Sequence, residues 1–284
     1  MTFVPSSRLV LPSGEWRTLL DFLDERFPAV SRADWLDRMA RGTVRVDGEP
    51  VDSRGIYRPG ATLTYRREVP DEPRIPFEET LVYVDDDLVI ADKPHFLPVM
   101  PAGVHVEETL SVRLARRLGN PDLVALHRLD RDTAGLVVFS ARPSSRDAYT
   151  ALFRDRRIAK VYEAIAPPMP DRAFPFEYAS RLERGEPFFR IREVDGVPNA
   201  ITRVDVIERE GGRWRYRLEP VSGRKHQLRV HMAALGAAIE GDPYYPRLTE
   251  TAGFERPLRL LARELRFVDP LSGVERVFRS GRRL

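Results

Sequence analysis

Apolar residues at Leu19, Leu20, Leu23 and Phe27 recur at the spacing of one helix face. A second helix is predicted from Ser31, where Ser31-x-x-Asp34 has the form of a capping box. Trp35, Leu36 and Met39 supply its apolar face, and Gly42 ends it. Val44 and Val46 alternate into the turn Asp47-Gly48, Val51 follows, and Thr62–Tyr65 reads as a further strand. Such a helix-helix-hairpin unit packs one modest core. The next stretch carries prolines at 70, 73 and 76, so neither a helix nor a central strand can run through it, and it is predicted to be a stiff linker.

From Glu78 the pattern is mixed α+β. Leu81–Val84 and Leu88–Ala91 flank Asp85-Asp86-Asp87 in the manner of a hairpin. Residues 109–118 and 144–155 read as helices, Gly135–Phe139 as a buried strand and Lys160–Ile165 as an alternating one. Arg213, Arg215 and Arg217 alternate with Trp214, Tyr216 and Leu218, which puts three guanidiniums on one face of a strand. Residues 226–236 read as helical. The expected organisation is a small domain over 1–67, a proline-rich linker over 68–77 and a large domain over 78–284.

Composition narrows the class. With 42% hydrophobic and 31% charged residues over 284 positions, the chain can bury a core and is not globally disordered. Cysteine is absent, which excludes disulfides, cysteine nucleophiles and thiolate metal sites, and fits a reducing compartment. The start lacks a basic segment followed by an apolar run, and no apolar stretch approaches the roughly 18 residues that span a bilayer. A cytoplasmic protein with no membrane contact is expected. The net charge of +3 is too small to identify a nucleic-acid binder. Lysine occurs only at Lys93, Lys160 and Lys225, so 43 of the 46 basic residues are arginine. That bias reads first as the codon usage of a GC-rich gene, although guanidinium also suits phosphates and bases.

Two segments carry candidate chemistry. His127-Arg128-Leu129-Asp130-Arg131-Asp132-Thr133-Ala134-Gly135 is a charged loop feeding a buried strand; Asp130 there is either a reactive carboxylate held ionised by a cation or one charge of a solvated turn. Ser222-Gly223-Arg224-Lys225-His226-Gln227-Leu228-Arg229-Val230-His231 is either a basic helix start or a site bringing Arg224, Gln227 and His231 to nearby faces. His226 and His231 lack the spacing of a metal pair, and no metal is expected.

Together the segments resemble the RluA-type pseudouridine synthases. His127-Arg128-Leu129-Asp130 with Thr133-Ala134-Gly135-Leu136 resembles that family's signature. Gly223 to His231, with Gly241-Asp242-x-x-Tyr245, resembles its C-terminal motif; Ala91-Asp92-Lys93-Pro94 is similar to its first motif, and Lys160-x-Tyr162 to the short one between. The first 67 residues resemble the S-four-type RNA-binding domain that many members carry. Two positions depart: His95-Phe96-Leu97 stands where the family usually has Ala-Gly-Leu, and Ala134 where serine is usual.

The resemblance implies an α+β fold: a mixed, largely antiparallel sheet in the catalytic domain, beside a small N-terminal α/β RNA-binding domain. It implies isomerisation of uridine to pseudouridine in RNA without a cofactor, with Asp130 as the essential carboxylate, Arg224 as its partner and Tyr162 stacked on the target base. Arg128 would fill the space left by an extruded uridine. His127, Lys160, Lys225, His226 and Arg229 are candidate RNA contacts, and the arginines at 113, 116, 117, 154, 156, 157, 213, 215 and 217 could line a backbone-binding surface. Large-subunit ribosomal RNA is the expected partner, transfer RNA the alternative, and the chain is expected to be monomeric. The rival classes are a noncatalytic RNA-binding or ribosome-assembly protein, and a hydrolase using Asp130 with Asp132.

Overall fold

The computed structural model describes residues 3–69, 71–250 and 253–284; Met1, Thr2 and Pro70, on which part of the leader and linker readings fall, lie outside them. The chain divides between Glu72 and Pro73 into two units.

The first unit holds β1 (Ser7–Val10), α1 (Leu19–Arg26), α2 (Arg32–Ala40), β2 (Val44–Val46), β3 (Glu49–Pro50) and β4 (Thr62–Tyr65), with sheet order β1-β4-β2-β3. Both helices open with capping boxes, Thr18 with Asp21 and Ser31 with Asp34. Asp47 and Gly48 both have positive φ, the geometry of a tight hairpin turn. Leu19, Leu23, Trp35, Val44 and Leu63 form the buried centre. The face of α2 is rotated from the expected one: Leu36 is 40% exposed, and Arg38 instead lies buried with its guanidinium 5.0 Å from the Trp35 ring.

The second unit is built on one large sheet. Its elements are β5 (Thr80–Val84), β6 (Leu88–Lys93), α3 (Leu110–Leu118), β7 (Val124–Ala125), β8 (Ala134–Ser140), α4 (Arg146–Arg154), β9 (Ala159–Ala166), β10 (Phe176–Arg184), β11 (Ile191–Val194), β12 (Ala200–Glu210), β13 (Arg213–Pro220), α5 (Gln227–Ala234), β14 (Leu260–Val268) and β15 (Glu275–Arg279). The strand order is β11-β10-β12-β13-β9-β14-β8-β6-β5, with β15 on β14 and β7 on β8. Among the described residues the pairing is antiparallel except where β14 meets β8, so the sheet is mixed and largely antiparallel, as expected. Ile75 and Phe77 are held by their carbonyls to the Arg113 guanidinium on α3, so this part of the proline-rich stretch is docked on the second unit.

The parallel contact places the functional loop. β8 enters the sheet directly after residues 127–133, and Leu261 and Ala262 pair with Ala134 and Gly135. Gly135 has φ of 113°, and a Cβ there would stand 2.3 Å from the Ala262 carbonyl oxygen. Only glycine meets both requirements. Gly135→Ala is expected to destabilise the second unit by about 3 kcal/mol or more, since neither the backbone angle nor the neighbouring strand can yield cheaply; a denaturant midpoint equal to that of the unmodified protein would refute this.

Candidate active site

Four pieces of chain meet at Asp130. The first is its own loop, closed by Thr133 N–H donating to the Asp130 carbonyl. The second is the end of β6, where fully buried Lys93 donates from Nζ to the carbonyls of Pro94 and Arg131. The third is the start of α5, and the fourth is the turn at Gly241-Asp242-Pro243-Tyr244-Tyr245.

The Asp130 carboxylate is 27% exposed and Arg229 is 1% exposed. Arg229 Nη1 donates to Asp130 Oδ2 at 3.0 Å. The other side of the same guanidinium is a fork onto Asp242: Nε to Oδ2 at 2.8 Å and Nη2 to Oδ1 at 2.7 Å. Asp242 Oδ1 also accepts from the Tyr244 and Tyr245 N–H groups. The rings of Tyr244 and Tyr245 lie 4.8 and 5.5 Å from the guanidinium carbon. Burial works to raise the Asp130 pKa, but the surrounding cationic groups outweigh it and hold the carboxyl below its usual range. Burial alone would lower the Arg229 pKa; the hydrogen bonds and charges of Asp242 and Asp130 reverse that and raise it.

The expected pairing of Asp130 with Arg224 is not what the structure holds. Arg224 is exposed, and its Nε donates to the Asn199 carbonyl at 3.2 Å. The reason is local. His226 has φ of 54°, so the chain reverses there and the helix begins only at Gln227. Residues 223–225, before the reversal, lead to the surface, while Arg229, in the first turn of α5, faces Asp130. The Gln227 side chain locks the reversal, accepting at Oε1 from Ser222 Oγ and Arg224 N–H and donating from Nε2 to the Ile201 carbonyl and Thr202 Oγ1.

The other expected site residues divide. Tyr162, on β9, is half-buried near Asp130; burial first, then the carboxylate's charge, raises its hydroxyl pKa. Lys160 shares its face of β9 and is lowered by burial and by Arg156. Lys225 is exposed, its pKa lowered by partial burial and by Arg184, Arg128 and Arg229, with Asp130 opposing. Arg128 is exposed in the same region. His226 is buried: its Nδ1 lies 2.9 Å from the Tyr245 hydroxyl and its Nε2 3.7 Å from Asp130 Oδ1. That hydroxyl accepts from Ile191 N–H, leaving its proton for Nδ1. His127 accepts at Nε2 from Val138 N–H and stacks on Phe153 at 4.7 Å, which ties the ring to the sheet. His231 is a core histidine between Thr202 and Ser180.

Most of the arginines offered as a backbone-binding surface are engaged locally. Arg213, Arg215 and Arg217 pair with Glu240, Glu208 and Glu219, Arg154 and Arg157 with Asp155, Arg116 with Glu107, and Arg113 with Glu79 and Glu108. Asp132 is buried and paired with Arg131, so it does not face a second carboxylate across a cleft as a hydrolase pair would. Phe96, at a position where the resembling family carries glycine, has φ of 66°. That backbone costs a non-glycine residue about 1–2 kcal/mol, and the stack on Phe77 and edge contact with Phe254 offset it. Among the described residues no three of His, Asp and Glu converge to hold a metal ion, and no helix is long and apolar enough to cross a membrane.

The sequence profile of the RNA pseudouridylate synthase family matches residues 87–234. An uncharacterized RNA pseudouridine synthase of Synechocystis is 30% identical over 230 residues, covering 80% of this chain and 79% of its own. The ribosomal large subunit pseudouridine synthase D of Escherichia coli K12 is 30% identical over 275 residues, covering 89% and 83%. Among solved structures, human RNA pseudouridylate synthase domain containing 4 superposes with a TM-score of 0.54 at 26% identity, over 70% of this chain and 87% of that one.

The histidines set a pH limit on stability. Burial is the main reason that His226 and His231 fall from the ordinary 6.5 to about 4. Between pH 4 and 6.5 the unfolded chain therefore binds more protons than the folded one, and stability falls as pH drops through that window. Each histidine is expected to remove about 2 kcal/mol between pH 7 and pH 5. Asp130, with its depressed pKa, also loses stabilisation as pH falls, but only below the usual carboxylate range, so it adds little to the loss between pH 7 and pH 5. Urea midpoints at pH 7 and pH 5 check the sign; a midpoint unchanged or higher at pH 5 would contradict it.

Proposed function

This chain belongs to the RNA pseudouridylate synthase family and is an RNA-modifying isomerase; from that premise we propose that Asp130 is its catalytic carboxylate, that Arg229 holds it ionised, and that its substrate is large-subunit ribosomal RNA. The reaction breaks the bond from ribose C1′ to N1 of uracil, turns the base and joins C1′ to C5. The C5 proton leaves to solvent and N1 gains one, so no electrons are exchanged and no cofactor is called for. Attack on the ribose, attack on the base and proton abstraction from the sugar all start from an ionised carboxylate beside the glycosidic bond.

The observation that carries this reading is the Asp130–Arg229 contact at the partly open side of an otherwise buried charge cluster. The outer face of Asp130 remains available to an extruded nucleoside, and the half-buried Tyr162 offers a ring beneath the base. Arg128 and Lys225 stand exposed at the same place, suited to the vacated stack and to phosphates. Lys160 is a further phosphate contact. His127 and His226 position the loop and α5. The first unit is proposed to bind RNA as an S-four-type domain, the protein to act as a monomer, and its location to be cytoplasmic. Ribosomal RNA is preferred because the Escherichia coli relative spans most of both units and is a ribosomal large subunit enzyme.

Incubation with RNA tritiated at uracil C5, separated into large-subunit ribosomal and transfer fractions, tests the proposal. Tritium is expected to be released from the ribosomal fraction, without free uracil. Asp130→Asn is expected to bind that RNA with affinity within about threefold of the unmodified protein while tritium release falls by about four orders of magnitude or more. Turnover retained by the variant would remove Asp130 from the chemistry, and release from the transfer fraction alone would reassign the substrate.

A further inference from the structure

The turn Gly185-Glu186-Pro187-Phe188-Phe189-Arg190, between β10 and β11, presents an aromatic ring to solvent beside the site. Phe188 is 73% exposed; its one ring contact among the described residues is an edge contact with Phe189 at 5.7 Å, which leaves most of its surface open. Its neighbour Phe189 packs inward, 5.3 Å from Tyr244, whose ring covers the Arg229 guanidinium. The hairpin is also tied to the charge cluster by hydrogen bonds: Ile191 N–H donates to the Tyr245 hydroxyl, which bonds His226 beside Asp130. A second feature sits with the ring. Arg184 and Arg190 at the ends of this turn have no carboxylate partner among the described residues, unlike the paired arginines of β13; Arg184 is exposed, and Arg190 lies 5.1 Å from the Tyr245 ring with Nη2 donating to the Pro246 carbonyl. Arg184 lies near enough to Lys225 to act on it electrostatically, which joins the turn to the basic rim around Asp130.

We propose that Phe188 is a stacking platform for an unpaired base flanking the target uridine, with Arg184 and Arg190 on the adjoining phosphates. This deepens the function proposed above and rests on it. Extruding a nucleotide removes one stacking partner from each of its neighbours. An exposed ring flanked by guanidiniums supplies a replacement that any base can use. The stack touches no reacting atom, so it contributes equally before and during the chemical step. It sets KM and the preference for unpaired context, not kcat.

The variants Phe188→Ala, Phe188→Leu and Phe188→Trp separate stacking from simple apolar contact, and the exposed position leaves the melting temperature unchanged in all three. With total RNA tritiated at uracil C5, taken from cells lacking the gene, Ala and Leu are expected to raise KM about 5- to 150-fold, the span of one base–aromatic stack, with kcat unaltered. Trp is expected to keep KM within about threefold of the unmodified protein. Unchanged KM in Phe188→Ala, or rescue by Leu as complete as by Trp, would overturn the proposal. Filter binding of the same RNA reads the stack without turnover. Failure of the unmodified protein to release tritium therefore counts against the substrate reading, while equal affinity of the unmodified and Phe188→Ala proteins counts against the stack.

Discussion

One guanidinium shared between two carboxylates organises the second unit. Asp242 is as buried as Arg229 and takes two of its donors in a fork, which fixes the plane and direction of the remaining Nη1. That donor then meets Asp130. A lysine in its place would offer a point charge without a plane, and could not aim one bond by anchoring two others. Burying these charges is costly, and removing one partner of such a pair typically costs about 3–5 kcal/mol because the other is stranded. Arg229 with its two carboxylates carries one excess negative charge, and the part left open is the 27% exposed side of Asp130, whose Oδ2 takes the Arg229 donor.

The rest of the site serves this arrangement. Lys93, with its ammonium pushed down to about 7 mainly by burial, ties the Asp130 loop through the Arg131 carbonyl to the edge of β6. Gly135 lets β8 lie close against β14 immediately after that loop. Gln227 and the left-handed His226 set where α5 starts, and so which of its residues reaches the carboxylate. Tyr244 and Tyr245 close the back of the guanidinium and carry the β10–β11 hairpin to the same place. Strands far apart in sequence thereby converge on one polar point.

Strict periodicity was legible from the sequence. The helices near Leu19 and Ser31, the Asp47-Gly48 turn, the hairpin around Asp85 and the alternating strand at 213–218 all form where the pattern placed them. Strands β1, β10, β11, β12, β14 and β15 carry little periodic signature, because polar and arginine positions interrupt their apolar alternation, and the partners of β1 and β14 include strands far along the chain. As a candidate, Asp130 was legible through the motif around it. Its partner was not: Arg224, Lys225 and Arg229 are equivalent as text, and the choice is made by a backbone reversal at His226 and by Asp242, neither of which has a periodic signature. Leu36 shows the same limit on a smaller scale, since the rotation of α2 depends on Arg38 covering Trp35.

The most direct measurement compares Arg229→Lys with Arg224→Ala in tritium release, with the fold of each checked by circular dichroism. The result that follows from the shared guanidinium is a kcat reduced about 100-fold or more for Arg229→Lys, its acid limb shifted upward as Asp130 loses its partner, and a kcat within about threefold of the unmodified protein for Arg224→Ala. The opposite ranking, with Arg224→Ala inactive and Arg229→Lys unimpaired, would contradict it.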